Sequence, residues 1–301
     1  MAYLLLVLTV LFWAGNFVLA RSMVDVLPPF TMASLRWSLA FLILLPFAYQ
    51  SLIKERKQIL KHWKVVCVLS MFGVAMFNSF IYLGVQTTTA TNAALLQSAI
   101  PILVLILGAV FYRDFLSRKQ LVGVCSSCVG VMVIITEGNL AALFDLHLNQ
   151  GDLWILCGVS SWTVYTVLLR YKPAEITGLS FLSTNMLVGS LFILPFTLME
   201  FSQGKVSAIS VNQDIVSSVL YLAIFPSLLS YLFWNKGVAQ VGAAKASLFI
   251  HLMPVFGTIL ASIFLNEKLH LFHLAGIVLI FFGIYLAVIT DILKRIRKSK
   301  A

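Results

Sequence analysis

Polar side chains that could hold a solute recur in this chain at helical spacing. Asn78, Tyr82 and Gln86 fall at i, i+4 and i+8, one continuous helix face, and Ser227, Tyr231 and Asn235 repeat the pattern with Trp234 beside them. Trp13 and Asn16 stand three apart, as do Trp162 and Tyr165, while Asn92, Gln97 and His251 interrupt apolar runs. Amides and aromatic rings with no acid among them suit binding rather than catalysis. Tyr and Trp each offer an apolar face with one polar handle, so they can hold a neutral or zwitterionic amphipathic solute without stripping it of every hydrogen bond. The candidate binding set is Trp13, Asn16, Asn78, Tyr82, Gln86, Gln97, Trp162, Tyr165, Tyr231, Trp234, Asn235 and His251. The plainer use of such stripes is hydrogen bonding between helices.

Other chemistries find little support. There is no HExxH, no GxSxG and no GxxxxGK(S/T) phosphate loop, so an enzyme is not expected. Cys67, Cys125, Cys128 and Cys157 all lie in apolar runs, and the CxxC at 125–128 has no second ligand pair. They read as small buried hydrophobes. Neither a metal nor a cofactor is expected.

The elements that must position these residues follow from composition. The chain is 60% apolar and only 11% charged, against about 25% charged in a soluble domain, so most of its surface must face lipid. That excludes disorder and nucleic-acid binding. A bilayer core needs about 20 mostly apolar residues per helix. Ten segments qualify or nearly so: 3–24, 30–50, 64–85, 91–111, 119–136, 151–171, 178–199, 215–236, 243–265 and 270–291. The first has no basic n-region and no cleavage signal, so it reads as a retained helix. Threaded through these spans, seventeen Lys and Arg fall on one side and three on the other. The positive-inside rule then puts both termini in the cytoplasm.

The chain also repeats itself. Trp13, Arg21 and Pro46 match Trp162, Arg170 and Pro195 at an offset of 149; Gly84, Pro101, Phe111, Gly123 and Gly130 match Gly237, Pro254, Phe264, Gly276 and Gly283 at 153. Residues 1–149 and 150–291 are thus two five-helix repeats, followed by a basic tail at 292–301. Five is odd, so the second repeat enters the membrane upside down. Inverted repeats enclose a site near the midplane that opens alternately to each side, the architecture of a carrier. Residues on spans 1 with 6 and 3 with 8 would line it, and the glycines of spans 5 and 10 read as packing contacts.

The stretch Phe12-Trp13-Ala14-Gly15-Asn16-Phe17, the Ser34-Leu35-Arg36 of span 2, and the paired Phe-x-x-(Asp/Glu)-x5-(Gln/His)-x2-Gly-x6-Gly runs at 111–130 and 264–283 resemble the EamA-type branch of the drug/metabolite transporter superfamily. The resemblance covers both halves. It implies an all-α ten-helix inverted-repeat bundle in a bacterial cytoplasmic membrane, with the lipid bilayer and a small-molecule metabolite as partners. It also implies traffic in amino acids or related compounds, most often outward. The related small multidrug exporters use a membrane-embedded glutamate, and here the sequence departs from the pattern. All eleven acidic residues lie in loops or at span ends. A carboxylate proton relay is not expected; if a proton drives transport, its site should be His251 or the substrate. A channel-like facilitator is the competing reading, without an evident charge ring or filter.

Two cations lie within spans, one of them, Lys245, already counted on the cytoplasmic side. Lys245, near the inner interface, is expected to snorkel. Arg36, about six residues inside span 2, either snorkels to the outer interface and bonds neighbouring carbonyls or recognises a substrate carboxylate. The first is the plainer expectation.

Overall fold

A computed structural model describes residues 1–23, 26–115, 117–139, 149–206, 212–264 and 268–299. Ten helical spans follow in order: α1 (Ala2–Ser22), α2 (Pro29–Lys61), α3 (Trp63–Gly84), α4 (Ala90–Gln97 continued by Ile100–Tyr112), α5 (Arg118–Ile135), α6 (Gln150–Tyr171), α7 (Gly178–Ser202), α8 (Gln213–Val241), α9 (Ala243–Leu248 continued to Phe264) and α10 (Leu271–Ser299). Among the described residues nine helices are long and apolar enough to cross a bilayer, and α1 adds a shorter apolar stretch, Ala2–Asn16. The chain is an all-α multi-pass membrane protein. Leu42, Phe47, Leu191 and Phe282 point outward, as lipid-facing side chains must. Asp25, Asp145 and Glu267, expected at span ends, lie outside the described residues.

Span ends are set by local chemistry. Thr89, Thr177 and Asn212 cap α4, α7 and α8 through their side chains, and Ser117 with Gln120 and Asn149 with Asp152 form capping boxes at α5 and α6. Helix α8 runs five residues past its expected end to Val241, and two others overrun further. Helix α2 runs to Lys61 and α10 to Ser299, because Lys, Arg, Glu, Gln and Leu are good helix formers and no Gly or Pro interrupts those basic stretches.

Contacts between helices repeat across the two halves. Helix α1 packs on α8 and α9, and α6 packs on α3 and α4; α2 lies against α7, and α5 against α10. This is the inverted-repeat arrangement. At the α5–α10 seam, a Cβ on Gly123 would lie 2.5 Å from the Gly283 carbonyl oxygen, and one on Gly130 would lie 2.6 Å from that of Gly276. Only glycine permits that approach.

Irregular backbone also occurs in pairs. Helix α3 widens to a π-helical turn over Met71–Met76 and α8 over Ala223–Leu229. Helix α4 breaks at Ser98 ahead of Pro101, and α9 tightens to a 3-10 turn over Phe249–His251 ahead of Pro254. Proline lacks the N–H that would continue the ladder and its ring crowds the preceding turn. In a membrane the carbonyls so freed need partners from inside the protein, and those partners belong to the candidate site.

Candidate functional site

The π-turn carbonyls are met by the polar stripes. Asn78 Nδ2 donates to the Val74 carbonyl at 2.9 Å, and the Tyr231 hydroxyl reaches across from α8 to the Gly73 carbonyl at 2.5 Å. On α8, Pro226 cannot donate to the Leu222 carbonyl, and the Ser227 hydroxyl does so instead at 2.7 Å. Trp13 Nε1 donates to the Pro226 carbonyl at 3.2 Å. Each stripe therefore supports a helix distortion as well as facing inward.

Aromatic rings fill the space between the two π turns. Trp162 is central: its ring lies 5.0 Å from Trp13, 5.1 Å from Tyr165, 5.4 Å from Tyr231, 5.5 Å from Trp234 and 4.7 Å from Phe77. Trp37 stands edge-on to Tyr231 at 4.8 Å. The indole N–H groups of Trp37, Trp162 and Trp234 are buried, and none has a hydrogen-bond acceptor among the described residues. Most buried polar groups have a partner, so three unsatisfied donors in one cluster are unusual.

Hydrogen-bonded networks close the cluster at both ends. Toward the end with the basic loops, the Tyr165 hydroxyl donates to Asn235 Oδ1 at 2.8 Å. Asn185 lies against the same hydroxyl and accepts from Ser70 Oγ at 2.9 Å. Toward the opposite end, Arg36 donates through Nη1 to Asn16 Oδ1 at 3.1 Å and to the Tyr82 hydroxyl at 2.7 Å, and through Nε to Ser227 Oγ at 2.5 Å. Beside the Arg36 network lies a cavity of about 30 Å³, bordered by Trp13, Asn16, Arg36, Tyr82, Gln97 and Trp162 among others. It is room for roughly one water, so the chain is closed at its centre.

Larger cavities lie beyond each network. The one at the basic end, about 760 Å³, is lined by Asp114, Arg170, Lys172, Asn235 and Lys245. Arg170 pairs with Asp114 there at 2.6 Å. Burial lowers the Lys172 ammonium from its ordinary value, and the Glu55 carboxylate pulls it partly back. At the other end a cavity of about 550 Å³ is lined by Phe30, Leu83, Gln86, Glu200 and Lys205.

Most of the residues singled out from sequence meet at this centre: Trp13, Asn16, Asn78, Tyr82, Trp162, Tyr165, Tyr231, Trp234 and Asn235. Gln97 borders the central cavity and a neighbouring apolar one of about 190 Å³. His251 lines only the neighbour, where its ring bonds Ser127 and Ser98. Gln86 lies past the end of α3, exposed in the outer cavity, because α3 stops at Gly84. Lys245 lines the basic-end cavity. Arg36 does not snorkel. It is only 2% exposed, and its three hydrogen bonds all point inward. Trp37, Asn185 and Ser70 were not anticipated, although the 149-residue offset that relates Trp13 to Trp162 also relates Arg36 to Asn185.

A polar-aromatic centre between two inverted five-helix halves, with water-sized space inside and wide cavities at both ends, has the architecture of a membrane transporter. The EamA-like transporter family model matches residues 1–136 and 149–289, and the chain belongs to that family. Among its relatives are the uncharacterized transporter YyaM of Bacillus subtilis (strain 168), 30% identical over 95% of this chain and 92% of that one, and an uncharacterized transporter of Archaeoglobus fulgidus, 31% identical over 94% and 96%. A probable amino-acid metabolite efflux pump of Salmonella typhimurium (strain LT2) is 26% identical over 94% and 93%. A solved crystal structure shares the fold with a TM-score of 0.74 at 19% identity, covering 96% of each chain.

Proposed function

We propose that this protein is an alternating-access carrier that exports or exchanges small amphipathic metabolites, amino acids or related compounds. Its repeats are residues 1–149 and 150–291, and it sits in a bacterial cytoplasmic membrane with both termini inside. The observation that carries the reading is the pair of networks around the aromatic cluster. Tyr165 with Asn235 seals one end and Asn16 with Arg36 and Tyr82 seals the other. Opening one while the other holds would expose the centre to a single side, as rocking of inverted repeats requires. The excess of Lys and Arg on one side supports the orientation, and the efflux-pump relative supports the substrate class.

Counterflow tests it. Proteoliposomes loaded with an unlabelled solute should concentrate its radiolabelled form transiently from outside, across a panel of amino acids and their derivatives, with saturable initial rates. Flux that rises linearly with concentration and shows no counterflow would point to a channel-like facilitator.

A further inference from the structure

We infer that Arg36 is an anion anchor, and that the central site takes small organic monoanions: a single carboxylate on an apolar body, rather than a zwitterion or a cation. The inference rests on the carrier reading above and narrows its substrates from amino acids and related compounds to those that carry a carboxylate and no ammonium. Arg36 is the only charged side chain among the described residues bordering the central cavity. Its partners are Asn16, Tyr82 and Ser227 by hydrogen bonds and the Trp37 ring, 5.1 Å from the guanidinium; all are neutral, and no carboxylate of the described residues is within ion-pair distance. An ion buried in a membrane protein is costly unless its charge is met, and such residues ordinarily pair or serve a substrate path.

The geometry leaves a position for the missing charge. Nε and Nη1 are engaged, while Nη2 donates to none of the described residues. A carboxylate oxygen entering the cavity could take Nη2 and compete for Nη1, the fork that guanidinium offers to carboxylates. Trp162 borders the same cavity and carries no acceptor on its ring. The aromatic rings around it suit an apolar body. Charge arithmetic separates the candidates. With Arg36 as its only formal charge, a site holding a monoanion is neutral; holding a zwitterion it remains at one positive charge, and a cation would double it.

Binding would also act on the seal. A carboxylate drawing Nη1 away from Asn16 and Tyr82 loosens the contact that closes that end, so occupancy and opening are linked through one side chain.

Four compounds that share one body test the inference in proteoliposomes: N-acetylphenylalanine (monoanion), phenylalanine (zwitterion), phenylalanine amide (cation) and N-acetylphenylalanine amide (neutral). The monoanion should show counterflow and compete at least tenfold better than the other three. Arg36→Gln should erase that preference, and Arg36→Lys should retain part of it, as a charge without the fork. Size-exclusion profile and thermal stability check that the variants fold. If neither does, Ser227→Ala, which frees Nε but keeps the charge, should still change the discrimination between acid and amide. Exchange of the zwitterion, the amine or the neutral amide as fast as the acid overturns the anchor and leaves the carrier standing. So does a folded Arg36→Gln with unchanged preference. Exchange of none of these, nor of any solute in the wider panel, removes the carrier reading and the anchor together.

Discussion

Tyr165 and Asn235 share a direct 2.8 Å hydrogen bond, whereas their counterparts in the other half, Asn16 and Tyr82, are joined through Nη1 of Arg36. The offsets that relate the repeats, 149 for the first pair of spans and 153 beyond them, carry Asn16 to Tyr165, Arg36 to Asn185 and Tyr82 to Asn235. One architecture thus closes its two ends with different chemistry: neutral at the basic end, cationic at the other. A gate held by neutral groups opens on its own thermal balance, and a gate held by a cation can be addressed by an anion.

The neutral seal can be weakened without disturbing packing. Tyr165→Phe keeps the ring against Trp162 and removes one hydroxyl. A net hydrogen bond contributes about 0.5–1.5 kcal/mol, so the population open toward the basic end should rise roughly 2- to 10-fold. Thr166 lines the cavity at that end and is buried. In a background lacking the four native cysteines, Thr166→Cys should react faster with a polar thiol reagent by that factor when Tyr165→Phe is added. An unchanged rate would mean that the Tyr165–Asn235 bond is not a seal.

The α5–α10 seam should behave as a scaffold. A side chain at Gly123 or Gly130 meets a backbone carbonyl, which cannot swing aside. Overpacking of this kind costs about 1–3 kcal/mol. Gly123→Val and Gly130→Val are therefore expected to lower melting temperature and membrane abundance while transport per folded molecule is retained. Full stability with lost transport would assign the seam a moving role instead.

Much of this organisation was legible in the sequence, for physical reasons that differ by residue. The spans were visible because lipid demands apolar runs. Trp13 with Trp162, and Pro101 with Pro254, disclosed the repeat because both indoles pack in the central cluster and both prolines follow an irregular turn. Position along a helix, however, does not fix which face a residue occupies. Arg36 lies at a depth from which snorkelling is feasible, but the packing of α2 on α7 turns it inward, toward Asn16 and Tyr82. The π turn of α8 has a sequence signal in Pro226; that of α3, over Met71–Met76, has no proline, and the Tyr231 hydroxyl bonding Gly73 comes from the other half of the chain. Gln86 fits the helical phase of Asn78 and Tyr82, but phase has no meaning past Gly84, where α3 ends.

Helices α2 and α7 each cap the other. The Glu200 carboxylate, at the end of α7, accepts from Thr31 N at 2.7 Å and Phe30 N at 3.1 Å, where α2 begins. Glu55, in the last turns of α2, accepts from Thr177 N at 2.9 Å, where α7 begins. Carboxylates favour helix N-termini because unsatisfied N–H groups and the helix dipole both point there. Glu200→Ala and Glu55→Ala should each cost about 0.5–2 kcal/mol. Because they lie at opposite ends of the pair, the losses should add within about 0.5 kcal/mol. Denaturation of the two single variants and the double variant in detergent checks both statements, and a double variant no weaker than one single would show that only one cap contributes.

His251 remains the candidate for proton coupling inside the spans, and its hydrogen bonds favour a structural task instead. Its Nε2 lies 3.0 Å from the Ser98 carbonyl, which can only accept, so Nε2 carries a hydrogen. Nδ1 lies 2.8 Å from Ser127 Oγ, whose one hydrogen can go to it or to the Val124 carbonyl at 3.0 Å. With the hydroxyl turned to the ring, a neutral imidazole satisfies both contacts. The Ser98 carbonyl is itself at the α4 break ahead of Pro101, so the imidazole ties α9 to α4 and α5 at the point where α4 is irregular. A glutamine can make the same two contacts, its amide N–H to Ser98 and its carbonyl oxygen from Ser127, yet does not titrate near neutral pH. His251→Gln is thus expected to keep both counterflow and whatever response to an imposed pH gradient the parent shows. His251→Leu should destabilise by about 1–3 kcal/mol, because it leaves the buried Ser127 hydroxyl and Ser98 carbonyl without this partner. Initial exchange rates with and without a pH step, measured on both variants alongside a thermal melt, separate the roles. A stable glutamine variant that exchanges normally but loses the parent's acceleration by the gradient would make His251 a proton carrier.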